Sequence, residues 1–534
     1  MALLTLFIVW YVLLSISLMK LFAKAGEQPS KALIPGLNFV VWCKLIGRKP
    51  IYALLLLVPI VNFFVMAGME VDLARSFGRN KLWEAALAVV FSPILFFLIG
   101  KEESDTYNGP VLEQEAAFFA EMEAAKNEGR KADYNKLARR NPYAKNQGRE
   151  WIEAIVFAVF AAAFIRLFFI EAYNIPTSSM EGSLNVGDFL FVSKWSYGFR
   201  TPETVAMLPL LHNRVPFLNT ESYSSAFALE PKRWRLSKGD TLTHNAPVVF
   251  NYPEGDSVFL YPGRTWSIHD TRRNPQVKQM VERARLPLVT RPVDKMDHYV
   301  KRTIGLPGDV LEIRDRQVYI NGKAAENPEN LQFIREVVYP NGKFNTERLR
   351  DIGISLEDQQ LQNGNTYYFP LNDDQIAQLK AMDPAIQINP VDLAEVFGES
   401  SVYPHRPDLF GNWSRDNMGP IRIPKRGMTV PLDPKNVAMY KRAITAYEDN
   451  ELRINGNQVI LNGKPANEYT FKYDYYWMMG DNRHNSEDSR IWGFVPETHI
   501  VGAPKFVWFS TKEGNIFNGV NFGRMFRPVS SLAK

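Results

Sequence analysis

Cysteine is nearly absent. Cys43 stands alone in 534 residues, so no disulfide within the chain is possible and a cysteine-built zinc site is excluded. The seven histidines are scattered and none falls in a His-Glu-x-x-His pair. A glycine-rich phosphate loop of the Walker type is also missing. These absences remove metalloprotease and nucleotide readings, and neither a metal nor a cofactor is expected. Nor is there a large surplus of charge. The formal net value of +5 is mild for this length and gives no reason to expect nucleic acid as a partner.

Long apolar runs are plentiful in the first third. Leu3 to Met19, Ile51 to Gly68, Ala85 to Gly100 and Trp151 to Ile170 are candidate membrane spans. The first lacks the basic start and small-residue cleavage site of a removable signal, so it is expected to be retained. Leu33 to Val41 is too short to span and is expected at the interface. Basic residues between the four runs number six, three and nine, which places the first and third loops in the cytoplasm. Everything after about residue 171 then lies outside it. The expected organisation is a multi-pass membrane module over 1–105, a basic cytoplasmic linker over 106–150 and an anchor helix over 151–171. A β domain follows in two parts, 172–325 and 451–534, separated by an inserted region of unknown role at 326–450.

From Phe189 onward, short β-branched and aromatic runs alternate with Gly, Pro and Asn-Gly turns, a pattern of strands. Phe189 to Val192 and Val248 to Phe250 are examples. Asn274-Pro275 has the signature of a helix start, with Val277, Met280, Val281 and Ala284 on one face. Further helices are expected at Asp373 to Met382 and Pro390 to Val396. An internal echo links Leu311 to Lys323 with Leu452 to Lys464, and Lys301-Arg302-Thr303-Ile304 with Lys441-Arg442-Ala443-Ile444.

Three stretches carry chemistry. The first is Pro176-Thr177-Ser178-Ser179-Met180, close behind the fourth apolar run. The second is His298 to Asp309, with Lys301-Arg302 ahead of a Gly-Leu-Pro-Gly-Asp turn. The third is Met479-Gly480-Asp481-Asn482-Arg483-His484-Asn485-Ser486-Glu487-Asp488-Ser489-Arg490. Amide hydrolysis needs a nucleophile, a base and donors for the oxyanion. With no histidine motif, a lysine is the remaining base, provided it is neutral. That requires lowering its pKa by about 2–3 units, or about 3–4 kcal/mol, mainly through desolvation. Lys301 sits in a strand-like run, and strand alternation sends Arg302 to the opposite face. Lys441 shares the Lys-Arg-x-Ile context, but Glu448 and Asp449 follow it closely and are expected to keep it charged.

Together and in this order, the three stretches resemble the conserved boxes of bacterial type I signal peptidases, membrane-bound Ser-Lys proteases. The resemblance implies a mainly β catalytic domain anchored by about four transmembrane α-helices. It implies Ser179 as nucleophile, Lys301 as general base, and the Ser179 N–H with the Thr177 hydroxyl as oxyanion donors. Ser486 matches the serine that orients the lysine amine, and Asp488 and Arg490 match a supporting ion pair. Met180, Arg302, Asp481, Asn482 and Arg483 belong to the same boxes. The implied substrates are exported preproteins with a small-x-small cleavage site, and the implied surroundings are membrane lipid and the secretion translocon. The implied location is the bacterial inner membrane, with the catalytic domain on the periplasmic side. Phe189, Phe191 and Trp195 are expected to let this domain dip into lipid. Thr177 stands where the family usually has serine, Gly182-Ser183-Leu184 replaces the usual Pro-Thr-Leu, and Thr241 to Pro247 separates Gly239-Asp240 from Val248-Val249-Phe250. Two rival readings are a Ser-Lys self-cleaving regulator and an inactive membrane scaffold of the same fold.

Overall fold

The computed structural model describes residues 2–533 apart from 58–60, 146, 199, 201, 209–210, 212, 214, 216–220, 229–238, 262–263, 341, 356–357, 360–361, 394–401 and 457. The chain divides into two compact units, Met1–Phe160 and Ala161–Lys534.

In the first unit the apolar runs fold as helices. α1 (Ala2–Lys24) is free of Pro and Gly and places Leu14, Leu18, Leu21 and Phe22 on one stripe. That stripe packs with Trp42 and Cys43 of α2 (Leu37–Ile46), Met69 and Leu73 of α3 (Val61–Ser76), and Phe96 and Ile99 of α4 (Leu82–Lys101). The expected second span is not one helix. Pro50–Leu57 is a 3-10 turn, residues 58–60 lie outside the described set, and α3 buries Glu70 and Asp72. Asp72 pairs with Arg48 at 3.0 Å. The expected basic linker is itself helical, as α5 (Val111–Asn127) and α6 (Lys131–Arg140). Among the described residues two helices are long and apolar enough to cross a membrane, α4 and α7 (Gln147–Phe168), where four were expected.

The second unit is mainly β. Its central sheet holds β1 (Ile170–Asn174), β2 (Asp188–Ser193), β3 (Pro247–Asn251), β4 (His298–Gly305), β5 (Tyr475–Met479), β6 (Val495–Pro496) and β7 (Ile500–Ser510). Their order in space is β1-β2-β7-β3-β4-β5-β6, all antiparallel. The run Val248-Val249-Phe250 is continuous because β3 is covered on both sides. Val249 packs with Met180, Leu190 and Val507, whereas Val248 and Phe250 pack with Met478 and Trp492.

Two of the three expected helices form, Pro275–Arg283 and Asp373–Met382. The Asn274 side chain accepts from the Gln276 N–H at 2.9 Å. The third does not begin at Pro390, which ends the strand Gln387–Pro390, and residues 394–396 lie outside the described set. The internal echo is a pair of matching hairpins. Leu311 faces Ile320 and Ile313 faces Val318, just as Leu452 faces Leu461 and Ile454 faces Val459. Asn321 and Asn462 adopt φ of +52° and +50°, and each side chain accepts a backbone N–H at 2.9 Å. Both hairpins pack into one core. The likeness stops upstream, since Lys301 lies on a strand and Lys441 on the helix Pro434–Arg442.

Candidate active site

The loop joining β1 to β2 carries Ser179. Pro176 removes a backbone donor, and Ser178–Met180 then closes a single 3-10 turn. The fully buried Met180 anchors that turn in the core beside Leu184 and Val507. This leaves Ser179 half-buried and Thr177 exposed, with their hydroxyl oxygens 3.4 Å apart.

β4 supplies the amine. It lies between β3 and β5, so Lys301 is held opposite Val248 and is only 3 % exposed. Its Nζ donates to Ser179 Oγ at 2.6 Å. Burial pushes the amine down, the carboxylates of Asp488, Glu487 and Asp481 pull it partly back, and the result is about 8. A buried amine at that value is neutral in a useful fraction of molecules near neutral pH.

Arg302 is turned to the other side of the strand, as alternation requires. It donates to the two Asp481 oxygens at 2.7 and 3.0 Å and to Ser183 Oγ at 3.0 Å. One guanidinium thus ties β4 to the loop behind the nucleophile and to the loop after β5.

The loop after β5 closes the site. Asp488 accepts from Arg490 at 2.9 and 2.7 Å and from the Gly480 N–H at 3.1 Å. Burial alone would raise this carboxyl, but the Arg490 charge and these hydrogen bonds outweigh it and bring it to about 2. The Asn482 N–H donates to the Ser179 carbonyl at 3.2 Å, and Asn482 Nδ2 to the Ser178 carbonyl at 3.3 Å. Gly480 has to be glycine. A Cβ there would sit 2.3 Å from Ser486 Oγ and 2.5 Å from the Ser179 carbonyl oxygen.

Ser486, expected to orient the lysine, is buried in this loop but makes no hydrogen bond to Lys301 among the described residues. Its hydroxyl has no partner of good geometry, though it lies close enough to Asp488 to help lower that carboxyl. Glu487 acts on Lys301 without having been singled out. Asn485, Ser178 and Asp358 also meet at the site, and only the first two lie in stretches that the sequence marks. His484 accepts from the Ile334 N–H at 3.2 Å and pairs with Asp416 at 2.8 Å, so this nearby imidazole is committed elsewhere. Among the described residues no group of three or more His, Cys, Asp and Glu is placed to hold a metal ion.

A serine on a tight turn with a buried lysine bonded to it is an arrangement suited to Ser-Lys hydrolysis. Residues 148–376 and 438–509, more than half of the chain, match the model of "Signal peptidase, peptidase S26". The chain belongs to that family. It is a membrane-associated serine endopeptidase that removes signal peptides. This signal peptidase is 22% identical over 379 residues to Signal peptidase I of Rickettsia typhi, covering 70% of this chain and 86% of that protein. It is 24% identical over 371 residues to Signal peptidase I of Rickettsia canadensis, covering 69% and 82%. It is also 24% identical over 375 residues to the protein of the same name from Buchnera aphidicola, covering 70% and 81%. Residues 30–110 match a family of unknown function (DUF5684). The peptidase match skips 377–437, which lies within the inserted region read from the sequence.

Proposed function

We propose that this signal peptidase works through a Ser179–Lys301 dyad, and the observation that carries the reading is the 2.6 Å hydrogen bond from a buried amine to a serine hydroxyl. Neutral Lys301 takes the Ser179 proton as Oγ attacks the scissile carbonyl. The oxyanion is met by the Ser179 N–H and the Thr177 hydroxyl. The Lys301 ammonium then protonates the leaving amine, and water, deprotonated by the same lysine, hydrolyses the acyl-enzyme. Arg302–Asp481 and Asp488–Arg490 hold the three segments in register, and Ser486 packs under the turn. The substrates are preproteins with a small-x-small cleavage site. The test is incubation of detergent-purified protein with such a preprotein. Ser179→Ala is expected to be folded and inactive, and cleavage by this variant would sink the assignment.

Thr177→Val removes one oxyanion donor at nearly constant shape and is expected to lower kcat by about 10²–10³-fold, while Thr177→Ser stays active. Full activity of the valine variant would take Thr177 out of the mechanism.

The organisation proposed is a multi-pass module ahead of an anchor helix, with about four spans in all and the β domain outside the cytoplasm. The anchor is α7. The six-three-nine distribution of basic residues supports the orientation. A cysteine placed in 126–145 is expected to label only from the cytoplasmic side, and one at the exposed Lys464 only from the periplasmic side. Labelling of both from one side would show that the number of spans is wrong. Contact with lipid is supported by exposed apolar groups at both ends of the β2–β7 pair, with Trp195 after β2 and Phe517, Phe522 and Phe526 after β7. Phe189 and Phe191 are half-buried and lie between them. On this reading Ser179 works close to the outer membrane surface, where signal peptides leave the secretion translocon.

A further inference from the structure

The inserted region is linked to the turn that carries Ser179 through the side chain of Asp358, by way of Asn485. Asp358, buried at 7 % exposure, accepts through Oδ1 from Asn485 Nδ2 at 3.1 Å and through Oδ2 from Ser355 Oγ at 2.8 Å. The same Asn485 amide donates its other hydrogen to Ser178 Oγ at 2.9 Å. Ser178 is itself buried and immediately precedes Ser179.

We propose that Asp358 is a positioning residue for Ser179, acting through Asn485 and Ser178. The amide has two hydrogens and no freedom to choose among acceptors once a fixed carboxylate holds one of them. The other hydrogen is then aimed at Ser178. The carbonyl of the same residue already accepts from Asn482, and the Ser178 side chain is a second handle on it. Fixing it sets the angle at which Ser179 Oγ meets Lys301 Nζ. An exposed surface aspartate on an insertion has no such reach. A loose turn keeps the nucleophile in place on average but off the line of attack, which costs rate rather than substrate affinity.

This inference rests on the Ser179–Lys301 reading, so both are tested on one preprotein with Ser179→Ala in parallel. Asp358→Ala is expected to lower kcat roughly tenfold with KM unchanged. Asp358→Asn, whose amide oxygen can still accept from Asn485, is expected to restore most of the rate. Ser178→Ala should show the same loss as Asp358→Ala, and the double variant should be no worse than either, because both cut one chain of contacts. The midpoint of the pH–rate profile should stay in place, since the lysine is untouched. Wild-type kcat in Asp358→Ala, additive losses in the double variant, or an equal loss in Asp358→Asn would overturn the proposal. If Asp358→Ala fails to fold, Ser178→Ala decides alone, and wild-type kcat there overturns it. Cleavage by Ser179→Ala would instead remove the underlying reading, whatever Asp358 does.

Discussion

Lys301→Met is expected to abolish preprotein cleavage, while Lys441→Met turns over like the wild type. Both lysines sit in a Lys-Arg-x-Ile context, so the local pattern does not separate them. Their environments do. Lys301 is buried on a central strand and bonded to Ser179, whereas Lys441 is exposed on a helix. One of the two carboxylates expected to act on Lys441 is engaged elsewhere. Glu448 is occupied by the Tyr475 hydroxyl at 2.8 Å and the Lys472 N–H at 2.9 Å. Methionine fills the space of a buried lysine without supplying an amine, so loss of rate in Lys301→Met reports the base and not a cavity. The wild-type profile carries the same information. Because the amine titrates at about 8 and must be neutral to act, kcat/KM is expected to rise with pH through about 8 and level off above it. An inactive Lys441→Met, or a rate that falls across that range, would reassign the base.

Asp488→Ala is expected to be the most destabilising single change around the site, by about 3–5 kcal/mol. It leaves the Arg490 guanidinium buried without its carboxylate and strips the Gly480 N–H of its acceptor. Arg483 lies close by, already pushed down to about 10 by burial and by the Arg490 charge, so two cations would remain in a dry loop with one carboxylate fewer. Denaturant unfolding in detergent measures the loss. The sign of the pH effect follows from the carboxyl being lower in the folded state, about 2, than its ordinary value of 3.8. Its contribution is complete above about pH 4 and is lost as the pH falls toward 2. A wild-type unfolding midpoint in Asp488→Ala would show that the pair contributes nothing net.

Ser179, Lys301 and residues 479–490 were legible as candidates because each lies in a local pattern dense in turn formers and ionisable groups. The strands Asp188–Ser193 and Pro247–Asn251 followed from β-branched and aromatic runs between turn formers, and the helix at Pro275 from its cap and apolar face, all short-range signals. What hydropathy did not show was the break in Ile51 to Gly68, with a 3-10 stretch at Pro50–Leu57 ahead of α3. An average over a window rewards the apolar run up to Leu57 and gives no weight to Glu70 and Asp72 just past its end, which α3 folds into a protein interior. The role of Asp358 was illegible for a different reason. Its partner Asn485 is 127 residues away, and a single aspartate in a polar insertion has no pattern around it. Ser486 shows the reverse case, in which a motif named the right neighbourhood but not the contact.

β7, the last strand of the central sheet to be made, lies between β2 and β3. During synthesis the hairpin bearing Ser179 and the strand bearing Lys301 emerge early, yet they join one sheet only when residues 500–510 arrive to fill the gap. A nascent chain therefore carries both halves of a protease without owning one. The sheet that holds both is complete only once residues 500–510 have been made.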